Sequence, residues 1–178
     1  VLAWFDSGER ADATYTRGEV SGITLLMGAA RNGHERMVEL LLQHGAKFDL
    51  QSSNGFTALM LAATNGHERV VELLLQRGAD ANQQDSVGRT ALMTAARNGL
   101  ERVADLLLQR GAEVNTQGIH GQTALILAAQ TAHERVIELL LQRDANADLQ
   151  DHLGGTALML AAHYGHERVV ELLLQRGA

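Results

Sequence analysis

The chain has 178 residues, 46 % of them hydrophobic and 20 % charged, a composition that fits a folded protein rather than a disordered one. Fifteen Lys and Arg against 21 Asp and Glu give a net charge of −6, which argues against a dedicated nucleic-acid binder, because such a protein gains its affinity from phosphate neutralisation. The absence of cysteine from the sequence excludes disulfides, thiolate metal sites and cysteine nucleophiles.

Residues 1–18 come before a repeated pattern that fills the rest of the chain. Residues 1–8 are typical of the end of a helix and its closing glycine, so we interpret them as the remnant of an incomplete repeat. The first threonine of the pattern, Thr24, follows Gly8 by 16 positions, where the next repeat has 12. This difference predicts an insertion of about four residues within 9–22.

From residue 19 onward the sequence repeats itself every 33 residues. A threonine marks each period, and it is followed by a run such as ALMLAA and then by a segment such as HERVVELLLQRGA. The threonines are Thr24, Thr57, Thr90, Thr123 and Thr156. A fixed period of this length is typical of solenoids. We therefore expect five repeats after the partial segment 1–18, at 19–51, 52–84, 85–117, 118–150 and 151–178.

Each repeat predicts two short antiparallel helices and a projecting turn. The threonine is a good N-cap for the first helix, and a glycine such as Gly45 ends the second. The polar stretch that follows, for example 79–88, is typical of a hairpin. Because such short helices do not persist alone in water, neighbouring repeats must complete one another's core. The predicted fold is an all-α solenoid of stacked helix-turn-helix units with projecting β-hairpin-like turns.

The pattern G-x-T-A-L-x-x-A-A, followed by N-G-H-E-R-V-V-E-L-L-L-Q-R-G-A-D-x-N, resembles the ankyrin repeat. The resemblance covers residues 19–178 in register. Where the family has Thr-Pro-Leu-His, this chain mostly has Thr-Ala-Leu-Met, so we expect dispersion packing where the family has histidine hydrogen bonds. The resemblance implies a non-enzymatic module that binds proteins, and it favours an intracellular location. Neither a signal peptide nor a membrane-spanning segment is visible in the sequence.

Two repeats depart from the pattern in their small residues. Asp144 takes a position that glycine holds in the other repeats, and Thr131-Ala132 replaces Asn-Gly, so we expect the fourth repeat to be the least stable. In the first repeat, Gly28 stands where three later repeats have leucine. Either Trp4 or Phe5 fills the resulting gap, or crowding in the first repeat requires a small residue.

The fifth repeat is as apolar as the internal ones, although terminal repeats normally have a polar outer face. We therefore expect the natural protein to be longer. An apolar face at this end is either covered or exposed, and an exposed face would allow end-to-end self-association.

The sequence predicts no catalytic residues, no cofactor and no metal site. Four His-Glu pairs lack the second histidine that a zinc protease helix needs four positions later. The same column holds Leu100 in the third repeat, which indicates a packing position. The arginines are dispersed along the chain, so we expect neither nucleic-acid nor membrane binding.

The columns that differ between repeats are the candidates for recognition. In the ankyrin fold these columns match the hairpin tips and the concave groove, where partners usually dock. The candidate partner-binding residues are Ser53, Asn54, Phe56, Thr64, Asn65, Val87, Arg89, Arg97, Ile119, His120, Gln122, His152, Leu153, His163 and Tyr164. Aromatic, arginine and aliphatic residues among them are of the types that anchor interfaces. The alternative is that the tips tolerate any residue because nothing packs on them.

Taken together, these features predict non-enzymatic binding of another protein on the concave and fingertip surface. Two alternatives stay open at this point. One is that the chain is an engineered or consensus-like repeat scaffold without a natural ligand. The other is that it is the targeting segment of a larger enzyme. Irregular positions such as Gly28 and Leu100 favour a natural array over an engineered one.

Overall fold

The structure is a computed structural model, and it describes residues 11–178. Two strands come first, β1 (Thr14–Arg17) and β2 (Val20–Thr24), and they pair antiparallel. The helices are α1 (Leu25–Arg31), α2 (Glu35–Gln43), α3 (Ala58–Thr64), α4 (Glu68–Gln76), α5 (Ala91–Arg97), α6 (Glu101–Gln109), α7 (Ala124–Gln130), α8 (Glu134–Gln142), α9 (Ala157–His163) and α10 (Glu167–Gln175). The partial repeat predicted at 1–8 lies outside the described residues.

The chain divides into two compact units. The first ends at Asp80 and holds the strand pair and helices α1–α4; there α1 packs on α2 and α3, and α4 packs on α3 and α2. The second unit, Ala81–Ala178, holds α5–α10. Within it α7 packs on both α5 and α9, and α8 packs on both α6 and α10. Each unit is therefore a stack of helix-turn-helix pairs, as the repeat pattern predicts.

The first helix of every repeat has seven residues and begins after the repeat's threonine. The threonine Oγ1 accepts a hydrogen bond from the backbone N–H three positions later, at 3.1–3.3 Å in all five repeats. This bond satisfies one of the N–H groups that a helix start leaves free. Paired alanines such as Ala62 and Ala63 are completely buried, and their small side chains allow the helices to approach closely.

The second helix of every repeat has nine residues and begins with a glutamate, which interacts favourably with the helix dipole. Most of its valine and leucine side chains are buried or partly buried, while its Glu, Arg and Gln side chains are exposed or partly exposed; Leu174 of the fifth repeat is the exposed exception. It ends at a residue with left-handed backbone: glycine in four repeats, and Asp144 with φ +61° in the fourth. Ala132, with φ +58°, is the other non-glycine residue with this conformation in the described part of the chain.

One column of the first helices holds four methionines and one isoleucine. Met27, Met60, Met93 and Ile126 are all nearly fully buried, as expected from their replacement of the family's histidine. Met159, in the same column of the fifth repeat, is 57 % exposed. The outer side of the fifth repeat is therefore apolar and open to solvent in this structure.

The inserted residues form the strand pair β1–β2. Asp12 Oδ1 accepts a hydrogen bond from the Lys47 N–H at 2.7 Å, just as Asp49 Oδ1 accepts one from the Asp80 N–H at 3.4 Å. The two aspartates are thus equivalent, and the extra residues lie between Asp12 and Thr24.

Tyr15 of β1 lies over Gly28, and a Cβ atom built on Gly28 would be 2.8 Å from the Tyr15 hydroxyl. Crowding by Tyr15 therefore accounts for the small residue at position 28. Trp4 and Phe5, the alternative explanation, lie outside the described residues.

Candidate functional site

The projecting turns, which we call the tips, comprise residues 52–56, 85–89, 118–122 and 151–155. Their conformation is held from within by a polar side chain at the first position of three of them. Asp151 Oδ1 accepts the N–H groups of Leu153 and Gly155, both at 2.9 Å. Asp85 Oδ1 accepts the N–H groups two and four positions later in the same way, and Ser52 Oγ accepts the Phe56 N–H. These bonds fix the backbone while the neighbouring side chains point outward.

Most of the predicted site residues are open to solvent. Twelve of the fifteen are exposed, and Phe56, Arg89 and Gln122 are partly buried. Five of them belong to the first unit and ten to the second.

In the first unit the predicted residues divide between a tip and the end of α3. The Ser53 N–H donates to the Ser21 carbonyl at 2.9 Å, and the Ser21 N–H donates to Ser53 Oγ at 3.1 Å. These two bonds attach the tip at 52–56 to strand β2. Asn54 is exposed beside Ser53. At the end of α3, Thr64 and Asn65 use their side chains to bond carbonyls of their own helix, each at 2.7 Å.

In the second unit three tips follow one another and are joined by backbone hydrogen bonds. The Ile119 N–H donates to the Val87 carbonyl at 3.1 Å, and the His152 N–H donates to the His120 carbonyl at 3.0 Å. Three apolar side chains are exposed on these tips: Val87 by 36 %, Ile119 by 66 % and Leu153 by 82 %. The second unit thus presents apolar side chains on a hydrogen-bonded frame.

Aromatic and imidazole rings form two groups in the second unit, one on the tips and one at the end of α9. The rings of His120 and His152 have centroids 5.2 Å apart. At the end of α9, Tyr164 is 54 % exposed and contacts His163 edge-on, with the ring centroids 4.9 Å apart. Tyrosine and histidine give a surface both apolar area and hydrogen-bonding groups.

Arg89 has a role inside its own tip. Its Nε and Nη2 atoms each lie 2.8 Å from Asp85 Oδ2, and the Asp85 side chain is buried. The ion pair stabilises the turn, so substitution of Arg89 would change the tip as well as its surface. The backbone carbonyl of Gln122 accepts a hydrogen bond from the Gly118 N–H. The backbone carbonyl of Arg97 accepts one from His133 Nε2.

The second helices present a charged, solvated face. Arg69 and Glu72 form an ion pair of 2.7 Å, and that hydrogen bond raises the pKa of Arg69 above its ordinary value. Arg102 pairs with Asp105, three positions later on the same helix, at 3.6 Å. Arg143 also reaches Asp105, at 2.9 Å. Nothing in this face concentrates charge of one sign, so it offers no site comparable to the tips.

One surface feature was not predicted from the sequence. A cavity of about 390 Å³ opens in the first unit beside the inserted hairpin, and its walls include Tyr15 and Arg17. Neither residue has an equivalent in another repeat, so comparison between repeats gave no column in which to notice them. The one available signal was the extra length before Thr24.

Among residues 11–178 no three His, Asp or Glu side chains are placed to hold a metal ion. None of the helices in that range combines the length and the apolarity needed to cross a membrane.

A family model described as ankyrin repeats (3 copies) matches the chain over residues 5–85, 26–118 and 115–178. These matches overlap and together cover nearly the whole chain, which confirms the resemblance read from the repeated pattern. No curated protein shows significant sequence similarity to the chain.

Proposed function

The chain belongs to the ankyrin-repeat family, and on that premise we propose that it binds a partner protein through its tips and the ends of its first helices, without catalysis. Ankyrin repeats are generally protein–protein interaction modules. The proposal assigns the contact surface to the fifteen variable positions predicted from the sequence, with Ile119 and Leu153 as its principal anchors.

The observation that carries this proposal is the placement of exposed apolar side chains on a fixed backbone. Seven large hydrophobic residues are exposed in residues 11–178, and Val87, Ile119, Leu153 and Tyr164 are four of them. Contiguous exposed apolar groups mark interaction surfaces, and three of these residues lie on consecutive tips that backbone hydrogen bonds join. Because the tips are already held by hydrogen bonds, little conformational entropy is lost on binding.

Affinity capture tests this proposal. The wild-type chain and an Ile119→Asp/Leu153→Asp variant are immobilised and exposed to the same lysate. The matched control is Met159→Asp/Leu174→Asp, which replaces two similarly exposed hydrophobic residues of the fifth repeat that are not tip residues. All three chains must melt at similar temperatures before the comparison is made.

We expect a protein that is retained by the wild type and the control but lost from the tip variant. Each lost anchor costs about 1–2 kcal/mol, so the double variant should bind at least about 30-fold more weakly. Equal capture by all three chains would contradict the placement of the site. Capture of nothing specific would favour a scaffold without a natural ligand.

A further inference from the structure

The cavity of about 390 Å³ in the first unit is formed by the inserted hairpin, α1, the tip at 52–56 and α3. Its apolar walls include Tyr15, Ile23, Phe56 and Leu61. The lining is mostly apolar, and the volume is at the lower end of the range that ligand pockets occupy. A cavity of this size accommodates one or two side chains rather than a large ligand.

The cavity depends on two features that the other repeats lack. Gly28 lines the cavity without a side chain, where the second, fourth and fifth repeats carry leucine, and this allows the Tyr15 hydroxyl to lie close to α1. Tyr15 stands on the inserted hairpin as a wall and remains 42 % exposed, so part of its ring is available for contact. Both the opening and its aromatic wall therefore belong to the first repeat alone.

Two arginines give the cavity its charge. Arg17 and Arg31 both line it, and neither has an ion-pair partner among residues 11–178. Among residues 11–178, no Asp or Glu lines the cavity. The cavity is thus locally positive in a chain whose net charge is −6.

The remaining polar side chains of the lining bond within the protein. The Asn32 amide donates to the Gly28 carbonyl and the Asn65 amide to the Leu61 carbonyl, both at 2.7 Å. Thr64 Oγ1 donates to the Met60 carbonyl at 2.7 Å. The two guanidinium groups are therefore the charged donors that the cavity offers to a bound molecule.

We propose that this cavity binds a linear acidic segment of a partner protein. An aromatic or large aliphatic side chain of the segment enters beside the Tyr15 ring, between the inserted hairpin and Leu61. A neighbouring Asp or Glu pairs with Arg17 and Arg31, since guanidinium groups bind carboxylates with matched geometry. This inference rests on the proposed function, because it specifies the chemistry of the partner that the module binds.

Selection from a library of displayed random peptides tests the inference with a defined probe. Peptides are selected on the wild-type chain, and their dissociation constants are measured by fluorescence anisotropy against three variants. Gly28→Leu introduces the residue found at this position in three other repeats and forces the Tyr15 hydroxyl to move, so that the cavity loses its present shape. Arg17→Ala/Arg31→Ala removes its charge without touching the core. Arg110→Ala/Arg168→Ala, on exposed arginines outside the cavity, is the charge-matched control.

We expect selected peptides to share a large apolar residue next to Asp or Glu. Gly28→Leu should weaken their binding at least about 20-fold, as expected for loss of an anchor pocket. The Arg17→Ala/Arg31→Ala variant should weaken it about 10-fold, and added salt should reduce this difference. The control should bind like the wild type. If Gly28→Leu does not fold, as judged by its melting curve, the arginine variants still decide the outcome.

Three results would overturn the inference: no enriched peptides, peptides without acidic residues, or peptides that bind all variants equally. These results leave the proposed function intact, because that function is tested by the tip variant and its captured protein. Conversely, peptides that need the cavity would support this inference even if the tip variant captured the same proteins as the wild type.

Discussion

Asp144 closes the second helix of the fourth repeat in a backbone conformation that favours glycine. Its φ is +61°, and glycines hold the equivalent position in the other four repeats. The spacing of the repeat was sufficient to predict this placement, because the register of the closing residue is fixed by the pattern. Left-handed backbone costs a non-glycine residue about 1 kcal/mol, although Asp tolerates it better than most.

We expect Asp144→Gly to raise the free energy of unfolding by about 0.5–1 kcal/mol. The reciprocal control is Gly78→Asp, at the equivalent position of the second repeat, where an added Cβ would meet no atom within 4 Å. This variant should lose a similar amount through backbone strain alone. Urea unfolding followed by circular dichroism measures both changes. No gain for Asp144→Gly would show that Asp144 is not strained.

Side-chain interactions within a tip were harder to predict than backbone positions. Arg89 was an expected interface anchor because arginine is common in such anchors. The structure shows its guanidinium bound to the buried Asp85 carboxylate, an ion pair that depends on how the turn folds back over four residues. Sequence spacing alone does not determine this geometry outside a helix.

At the scale of elements, the histidines before the second helices connect adjacent repeats. His133 Nε2 bonds the Arg97 carbonyl at 3.0 Å, and His67 and His166 bond the equivalent carbonyls of their preceding repeats at 3.0 and 3.1 Å. The sequence predicts a packing position in this column because Leu100 occupies it once. The hydrogen bond across 36 residues adds a second role that the pattern did not reveal.

We expect His133→Leu to lower the free energy of unfolding by about 1 kcal/mol, the usual net value of one hydrogen bond. The control is His34→Leu in the same column, since His34 makes no such bond within residues 11–178. Thermal and urea unfolding of both variants provides the comparison. Equal stability of His133→Leu and the wild type would mean that packing alone accounts for this column.

The helices were predictable from the sequence, but the strand pair was not. Threonine caps and closing residues mark the helix boundaries in every repeat, so comparison of five copies locates them. The inserted hairpin occurs once, and only its extra length was visible beforehand. For the same reason the cavity wall formed by Tyr15 could not be predicted, because it depends on how this single hairpin lies over Gly28.

At the scale of the whole molecule, the exposed outer side of the fifth repeat bears on self-association. Met159 and Leu174 are both more than half exposed, although the residues in the Met159 column of the four preceding repeats are buried. We expect weak, concentration-dependent association through this face at concentrations on the order of 0.1 mM, because a face of one repeat buries little area. Sedimentation velocity of the wild type and of Met159→Asp/Leu174→Asp measures it. A wild type that stays monomeric, or a variant that associates equally, would contradict this role.

The central claim is that the molecule binds a partner protein through its tips. Hydrogen exchange of the chain, alone and with the protein captured by it, measures the contact surface most directly. We predict that partner binding slows exchange of amides in residues 85–89, 118–122 and 151–155, while exposed amides of the second helices exchange as before. Protection confined to the second helices, with the tips unchanged, would contradict the claim.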